Sequence, residues 1–415
     1  MNTRLFSLLS FVCVFAVLAS CSNQITEPAD IIEVPKEVTF AEKKLSKSSQ
    51  SFSFNLFQKV VAEEDEKENV FISPLSVSMA LGMTINGAKK ETYRQMRETL
   101  ALQGLEMEEI NEGYKLLAER LKTADKKVKL QIANSVWSKK GFTVEDDFSQ
   151  RLEKYFDAEA TELDFTDPES VNTINKWVAE NTNGLIDEII DGIPHGMVMY
   201  LINAVYFKGD WTHPFNEKQT HERSFFLENN EKVIVEFMSQ ERAYNTYFSE
   251  EVNMIDATYG DSLYSMTLMM PTDHNLPLND FITNSLTKQN FDNWISKLTY
   301  GEVQFSLPKF EMEYDVTMNN VLKSMGMEDA FSEIEADFTG INKGGKLSIS
   351  EVKHKAFITV DEKGTEAGAA TSVGVGITSM PPSFTANRPF VFLIREQKTG
   401  AIIFMGKVGN PALTN

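Results

Sequence analysis

Residues Thr365 to Thr378 (TEAGAATSVGVGIT) carry two structural signals at once, and any fold for this chain has to accommodate both. Thr365, Ala367, Ala369, Thr371, Val373, Val375 and Ile377 alternate with Glu366, Gly368, Ala370, Ser372, Gly374, Gly376 and Thr378. A core-compatible row against a small or polar row is the period-two signature of a strand with one buried face. The same residues are rich in Gly, Ala and Ser, lack Lys and Arg, and run into Pro381-Pro382, which describes an exposed loop. The segment reads as a loop in one state and a buried strand in another. An ordinary half-buried strand and a flexible linker are the simpler alternatives that its own residues leave open.

Its flanks narrow the choice. Glu362-Lys363-Gly364-Thr365-Glu366-Ala367 looks like the proximal hinge, and Phe384-Thr385-Ala386-Asn387-Arg388-Pro389-Phe390 like the C-terminal signature, of one family. The chain resembles the serpins, inhibitors that trap serine proteases. Asn69 to Ser76 (NVFISPLS) is similar to the start of that family's second helix. Ile174 to Trp177 with Thr182 to Ile186 is similar to the helix covering its main sheet. Asn203 to Trp211 (NAVYFKGDW) and Leu307 to Phe310 are further blocks, all in family order from about residue 46 to Pro411. The resemblance implies an α+β serpin fold, about eight to nine helices around three β-sheets, with a reactive loop at about 362–383 and no cofactor.

The chain's length of 415 residues admits two to three average domains, and the ordered motifs favour one. Net charge is −20 with no basic block, which argues against nucleic acid. The helical stretch Glu106 to Asp125, where some serpins bind heparin-like polyanions, mixes Lys115, Arg120 and Lys122 with five glutamates, so no such cofactor is expected.

Arg4, the apolar run Leu5 to Leu18 and the Leu18-Ala19-Ser20-Cys21 box resemble a bacterial lipoprotein signal. The run is short for a transmembrane helix of ~20 residues. The resemblance implies cleavage before Cys21 and lipid attachment to it; a plain secretory signal is the alternative. The expected organisation is signal peptide 1–20, lipid-anchored tether 21–45, serpin domain 46–411 and tail 412–415. The expected location is the cell envelope, on the outer membrane, facing the periplasm or the cell surface. Cys13 leaves with the signal, so the mature chain holds one cysteine and no intramolecular disulfide.

Phe54, Phe57 and Val61 fall at helical spacing, and Ser73-Pro74 is a cap followed by proline at the first helical position. Strand-like runs lie at Lys127–Ser138, Val198–Phe207, Thr267–Pro271, Gly301–Leu307 and Ala356–Val360, with a C-terminal hairpin at Phe390–Ile394 and Ala401–Met405. The acidic run from Glu63 to Glu66 reads as a solvated loop between two helices. No enzyme site is legible. His195, His213, His221, His274 and His354 show no metal-binding spacing, and no G-x-S-x-G elbow occurs. Gly340 to Lys346 mimics a phosphate loop, but Leu347 stands where Ser or Thr is needed.

The resemblance also implies how such a chain works. A protease attacks the loop, its nucleophile forms an acyl-enzyme, and the cleaved loop enters the main sheet with the protease attached. By the same resemblance Glu362, Gly364, Thr365, Glu366, Ala367, Gly368, Ala369 and Ala370 form the hinge, with Thr365 first to insert. Hinge-to-proline spacing in the family pattern puts the reactive bond at Thr378-Ser379. Thr378 suits a small apolar specificity pocket, as in elastase-like or subtilisin-like enzymes; cysteine proteases are further candidates, and Met380 is a second cut site for chymotrypsin-like ones. Ser73, Ser76, Asn203 and His354 match a polar cluster beneath the main sheet. Trp211, Lys309 and Glu362 match the head of the sheet opening, with a Lys309–Glu362 pair as latch. The protein is expected to be a monomer. A non-inhibitory serpin acting as a binding module of the envelope is the alternative; its mark is a hinge of bulky, charged or proline residues, and this hinge is small.

Overall fold

A computed structural model describes residues 37–65, 67–365 and 381–414. The helices are α1 (Phe40–Glu63), α2 (Pro74–Thr84), α3 (Lys90–Thr99), α4 (Met107–Thr123), α5 (Asp146–Phe156), α6 (Glu169–Asn181), α7 (Leu278–Asn284), α8 (Lys288–Ile295) and α9 (Asn319–Ser324). The strands in the first half are β1 (Asn69–Ile72), β2 (Val128–Lys139), β3 (Ala158–Leu163) and β4 (Met199–Asp210). Then come β5 (His221–Phe226), β6 (Lys232–Phe248), β7 (Val252–Tyr259), β8 (Tyr264–Pro271), β9 (Thr299–Pro308) and β10 (Phe310–Thr317). Last are β11 (Lys353–Val360), β12 (Gly364–Thr365), β13 (Ser383–Thr385), β14 (Phe390–Glu396) and β15 (Ile402–Val408).

Local chemistry sets the first two helices. Thr39 caps α1 through a reciprocal box with Glu42, satisfying donors that a helix start leaves unpaired. Helix α1 therefore begins inside the stretch 21–45 expected as tether, and Arg120 from α4 fixes Glu42 at 2.7 Å. Ser73 caps α2, with Pro74 in its first turn. Almost every residue of α2 is buried, as a helix apolar on all sides must be. The acidic run after α1 leads into strand β1, not into a helix: Asn69 to Ile72 pair with β15 and are drawn into the sheet before α2 can start.

Two sheets enclose the core. The larger runs β1-β15-β14-β8-β7-β6-β9-β13, with β5 added on β6. The three sheets expected are joined into two, because in the larger one the long strand β6 pairs β5 over Lys232–Phe237, β9 over Phe237–Thr246 and β7 over Asn245–Phe248. The smaller sheet runs β10-β11-β12-β4-β2-β3. Its inner rows, including Phe310, Met312, Ala356, Ile358 and Val360, are buried in one large core with α1 and α2. On the outer face α6 builds a second cluster, where Trp137 meets Trp177 edge-on and Ile174, Ile186 and Tyr200 close around them.

Candidate functional site

The smaller sheet contains a slot. Strands β4 and β11 run in the same direction, and the two-residue β12 lies between them, antiparallel to both. Thr365 pairs Val360 on one side and Gly209 on the other, and Gly364 pairs Asp210. Among the described residues no ladder joins β4 directly to β11. A cavity of about 600 Å3 follows the slot away from β12, walled by Met199 to Val205 of β4, by the chain from Lys346 to Ala356, and by α2.

A tight turn delivers β12 to the head of the slot. The Asp361 carboxylate accepts the Lys363 and Gly364 amides at 2.8 and 3.2 Å, and the Asp361 amide donates to the Gly364 carbonyl at 3.0 Å. This is the side-chain-to-backbone bonding that makes Asp a turn former. Gly364 has φ +154°, and a Cβ there would sit 2.1 Å from the Gly209 carbonyl oxygen. Only glycine permits so close a crossing of two backbones.

Backbone and side-chain groups of Trp211, Phe215, Thr220, Tyr259 and Lys309 hold the turn. The Trp211 amide donates to the Lys363 carbonyl at 2.8 Å and its indole N–H to the Asp361 carbonyl at 2.9 Å. The Phe215 amide donates to the Glu362 carbonyl at 2.7 Å. Trp211 stacks on Tyr259 at 4.4 Å, and the Tyr259 hydroxyl meets the Thr365 hydroxyl at 2.9 Å. The buried Glu362 carboxylate accepts from the Thr220 hydroxyl at 2.7 Å and lies 3.4 Å from Lys309 Nζ. Burial opposes its charge, but Thr220, a backbone amide and Lys309 outweigh it and hold the carboxyl below the usual range. Lys309, also 3.4 Å from Glu236, is pushed the other way: burial lowers it, and the two carboxylates raise it further.

Deeper along the slot lies the polar cluster. His354 begins the inward row of β11, which continues through the buried Ala356, Ile358 and Val360. Its Nε2 accepts the Ser73 amide at 3.0 Å, and burial depresses the imidazole to about 4. The Ser73 hydroxyl donates to the Ile403 carbonyl at 2.8 Å while capping α2. The Ser76 hydroxyl donates to the Asn203 carbonyl at 3.2 Å. Asn203 donates to Asn134 at 2.9 Å, and its own Oδ1 is buried with no hydrogen-bond partner among the described residues. Helix α2 thus holds one residue from each wall of the slot: His354 through Ser73 and Asn203 through Ser76.

The profile described as Serpin (serine protease inhibitor) matches residues 47–411. The chain belongs to the serpin family. It is 35% identical to human serpin B8, over 88% of this chain and 99% of that protein. The native structure of tengpin, a thermophilic serpin, superposes with a TM-score of 0.81 at 38% identity, covering 91% of this chain and 96% of tengpin. Human thyroxine-binding globulin in complex with thyroxine superposes at 0.80 and 29% identity, over 89% of this chain and 99% of the globulin. The architecture is the serpin fold, and the family is one of protease inhibitors, not of enzymes.

Within this serpin the structure brings Trp211, Lys309, Glu362, Gly364 and Thr365 together at the head of the slot. It brings Ser73, Ser76, Asn203 and His354 together beneath the slot. Glu366, Ala367, Gly368, Ala369, Ala370, the reactive bond Thr378-Ser379 and Cys21 lie outside the described residues. Sequence reasoning missed Thr220, Glu236, Tyr259 and Asn134. Asn134 was open to detection, because it stands directly opposite Asn203 once β2 and β4 are registered. Thr220 and Tyr259 carry no local signal; only the tertiary fold places them on the hinge.

Proposed function

We propose that this serpin is a suicide inhibitor of serine proteases that traps the acyl-enzyme by inserting its cleaved loop between β4 and β11. The observation that carries this reading is the seat of Gly364 and Thr365, paired to both walls at the head of the slot. A chain leaving Thr365 in the same direction finds both strand edges on either side.

The step is an acyl transfer stopped halfway. The protease serine attacks the Thr378 carbonyl, the amine of Ser379 leaves with a proton, and the protease stays esterified to residue 378. Insertion from Thr365 to Thr378 carries that ester roughly 46 Å at ~3.3 Å per residue. New ladder bonds contribute on the order of 10 kcal/mol at ~1 kcal/mol each, and burial of Val373, Val375 and Ile377 roughly 1.5–3 kcal/mol apiece. Backbone ordering costs a similar sum, so strain released from the uncleaved fold supplies the net drive, as strand addition by serpin loops requires. Thr378 directs the inhibitor to small apolar pockets, of elastase-like or subtilisin-like enzymes first. Lipid on Cys21 would hold it in the cell envelope.

The test is to mix the mature chain with an elastase-like protease and run denaturing electrophoresis. A boiling-resistant band at the summed mass, with a released fragment beginning at Ser379, is expected. Cleavage without that band, repeated across subtilisin-, chymotrypsin- and papain-like enzymes, would favour the second reading, a binding module. That reading has one observation behind it: thyroxine-binding globulin, named for what it binds, shares the fold.

A further inference from the structure

The chain is strongly acidic, with a net charge of −20, yet its first described helix begins with a basic face. Phe40, Lys43, Lys44 and Lys47 recur at helical spacing, so they share one side of α1. Phe40 is 68% exposed, the least covered aromatic of that helix, and Lys44 Nζ sits 4.7 Å from its ring centroid. Lys43 and Lys47 are exposed, and none of the three lysines is in an ion pair among the described residues. Glu42, the acid of these two turns, is fully buried and neutralised by Arg120 on the opposite side. Glu37 precedes the helix, and Glu106 follows the Gly104 carbonyl that Lys44 reaches at 3.3 Å. The face therefore has a basic, aromatic centre and acidic margins.

It is also rigid. The Thr39–Glu42 capping box and the Glu42–Arg120 pair fix the first turn to α4, while Leu45, Phe52 and Phe57 on the inward side enter the core. An exposed aromatic ring with basic side chains around it can meet an anionic lipid surface directly, the ring entering the headgroup layer while the amines meet the anionic headgroups.

We propose that the first two turns of α1 are a membrane-contact face that lays the domain on an anionic lipid surface, with Phe40 inserting and Lys43, Lys44 and Lys47 binding headgroup phosphates. This rests on the reading of Cys21 as the anchor only in so far as the anchor delivers the face to a membrane. An anchored Cys21 is 19 residues from Phe40, and such tethering adds avidity to a contact that the face makes by itself. What the face adds is orientation: it sets how the domain stands on the membrane.

Two arms test this. In the first, the chain from Ser22 onward, which lacks lipid and keeps the whole compact unit Val34–Asn415, is floated with vesicles of phosphatidylglycerol and phosphatidylcholine or of phosphatidylcholine alone. It is expected to float with the anionic vesicles only, and less as salt rises. Lys43→Gln/Lys44→Gln/Lys47→Gln should lower partitioning on the order of 100-fold, about fivefold per lysine, with an unchanged thermal midpoint and unchanged protease trapping; Phe40→Ser should also lower it. Equal binding to both vesicles, binding to neither, or full binding by the triple variant overturns the proposal. In the second arm the full chain, expressed with its signal and inserted in anionic vesicles, is acetylated, and protection of Lys43 and Lys47 is read by mass spectrometry. Protection equal to that on neutral vesicles also overturns it. The mass of the N-terminal peptide reports separately whether Cys21 is acylated, so failure of the anchor and failure of the face are distinguishable.

Discussion

Lys309 reaches Glu362 across the head of the slot, Nζ to Oε2 at 3.4 Å, and the residue it holds is also gripped through its carbonyl by Phe215. Side chain and backbone of one hinge residue are thus restrained at once. Glu362→Lys removes the ion pair and the Thr220 bond and sets two cations against each other in a buried corner. Loss of a charged hydrogen bond there is worth about 1.5–3 kcal/mol. The variant should form loop-to-sheet polymers or a latent monomer on gentle heating, seen by native electrophoresis and size exclusion. A variant that stays monomeric and active after the same heating as the parent would remove the latch from the mechanism.

Gly364→Ala tests the seat rather than the latch. A methyl 2.1 Å from the Gly209 oxygen and 2.7 Å from Asp210 Cα cannot be absorbed by a flexible neighbour, because both are backbone. Either β4 moves or β12 leaves the slot. Slower insertion lets the protease hydrolyse its ester, so the number of inhibitor molecules consumed per enzyme trapped should rise several-fold while cleavage continues. An unchanged stoichiometry would show that the crossing at Gly364 does not govern insertion.

The His354 imidazole gives the stability of this protein a defined pH dependence. Its folded value is about 4, below the ordinary 6.5, because the site is buried. Between those values the unfolded chain binds the extra proton, so the contribution is complete above about pH 6.5 and is lost as pH falls toward 4. The full window is worth about 3 kcal/mol, at ~1.4 kcal/mol per unit. Glu362, whose carboxyl is also lowered, acts in a separate window that opens only below its ordinary value of 4.5. Urea unfolding at pH 7.5 and 5 should therefore show a loss that His354→Gln, which keeps an acceptor for the Ser73 amide, largely abolishes. Equal slopes in the two proteins would assign the acid sensitivity elsewhere.

How much of the fold and site was readable from the chain differs by residue. Ser73-Pro74 announced the start of α2, and alternation marked β4 and β11, because capping and half-burial are local or periodic effects. Strand β6 was invisible: Lys232 and Glu236 are exposed, Ile234 is 60% exposed, and Phe237 and Met238 are both buried, so its alternation breaks where its partner changes from β5 to β9. Helix α1 began earlier than expected because Glu42 is stabilised by Arg120, far along the chain. The Lys309–Glu362 contact followed from family motifs and not from spacing. Its partners Thr220 and Glu236 did not, since loop conformation and strand register decide them.

Target choice can be separated from the trapping machinery by changing one residue. No Lys or Arg lies between Lys363 and Arg388, so nothing in the loop after Lys363 fits a trypsin-like pocket. If the bond is Thr378-Ser379, Thr378→Arg supplies a side chain that such a pocket pairs with its buried acid, and unmatched polar groups in the wrong pocket cost a factor of at least ~100. The variant should trap a trypsin-like enzyme as a boiling-resistant complex, release a fragment beginning at Ser379, and lose its rate toward elastase-like enzymes, with its thermal midpoint unchanged. Hinge, latch and polar cluster are untouched by the substitution, so the yield of complex per cleavage should match that of the parent with its own target. Cleavage by the trypsin-like enzyme with no complex would show that residue 378 is not at the length from Thr365 that trapping needs, and would move the reactive bond to Ile377 or Met380.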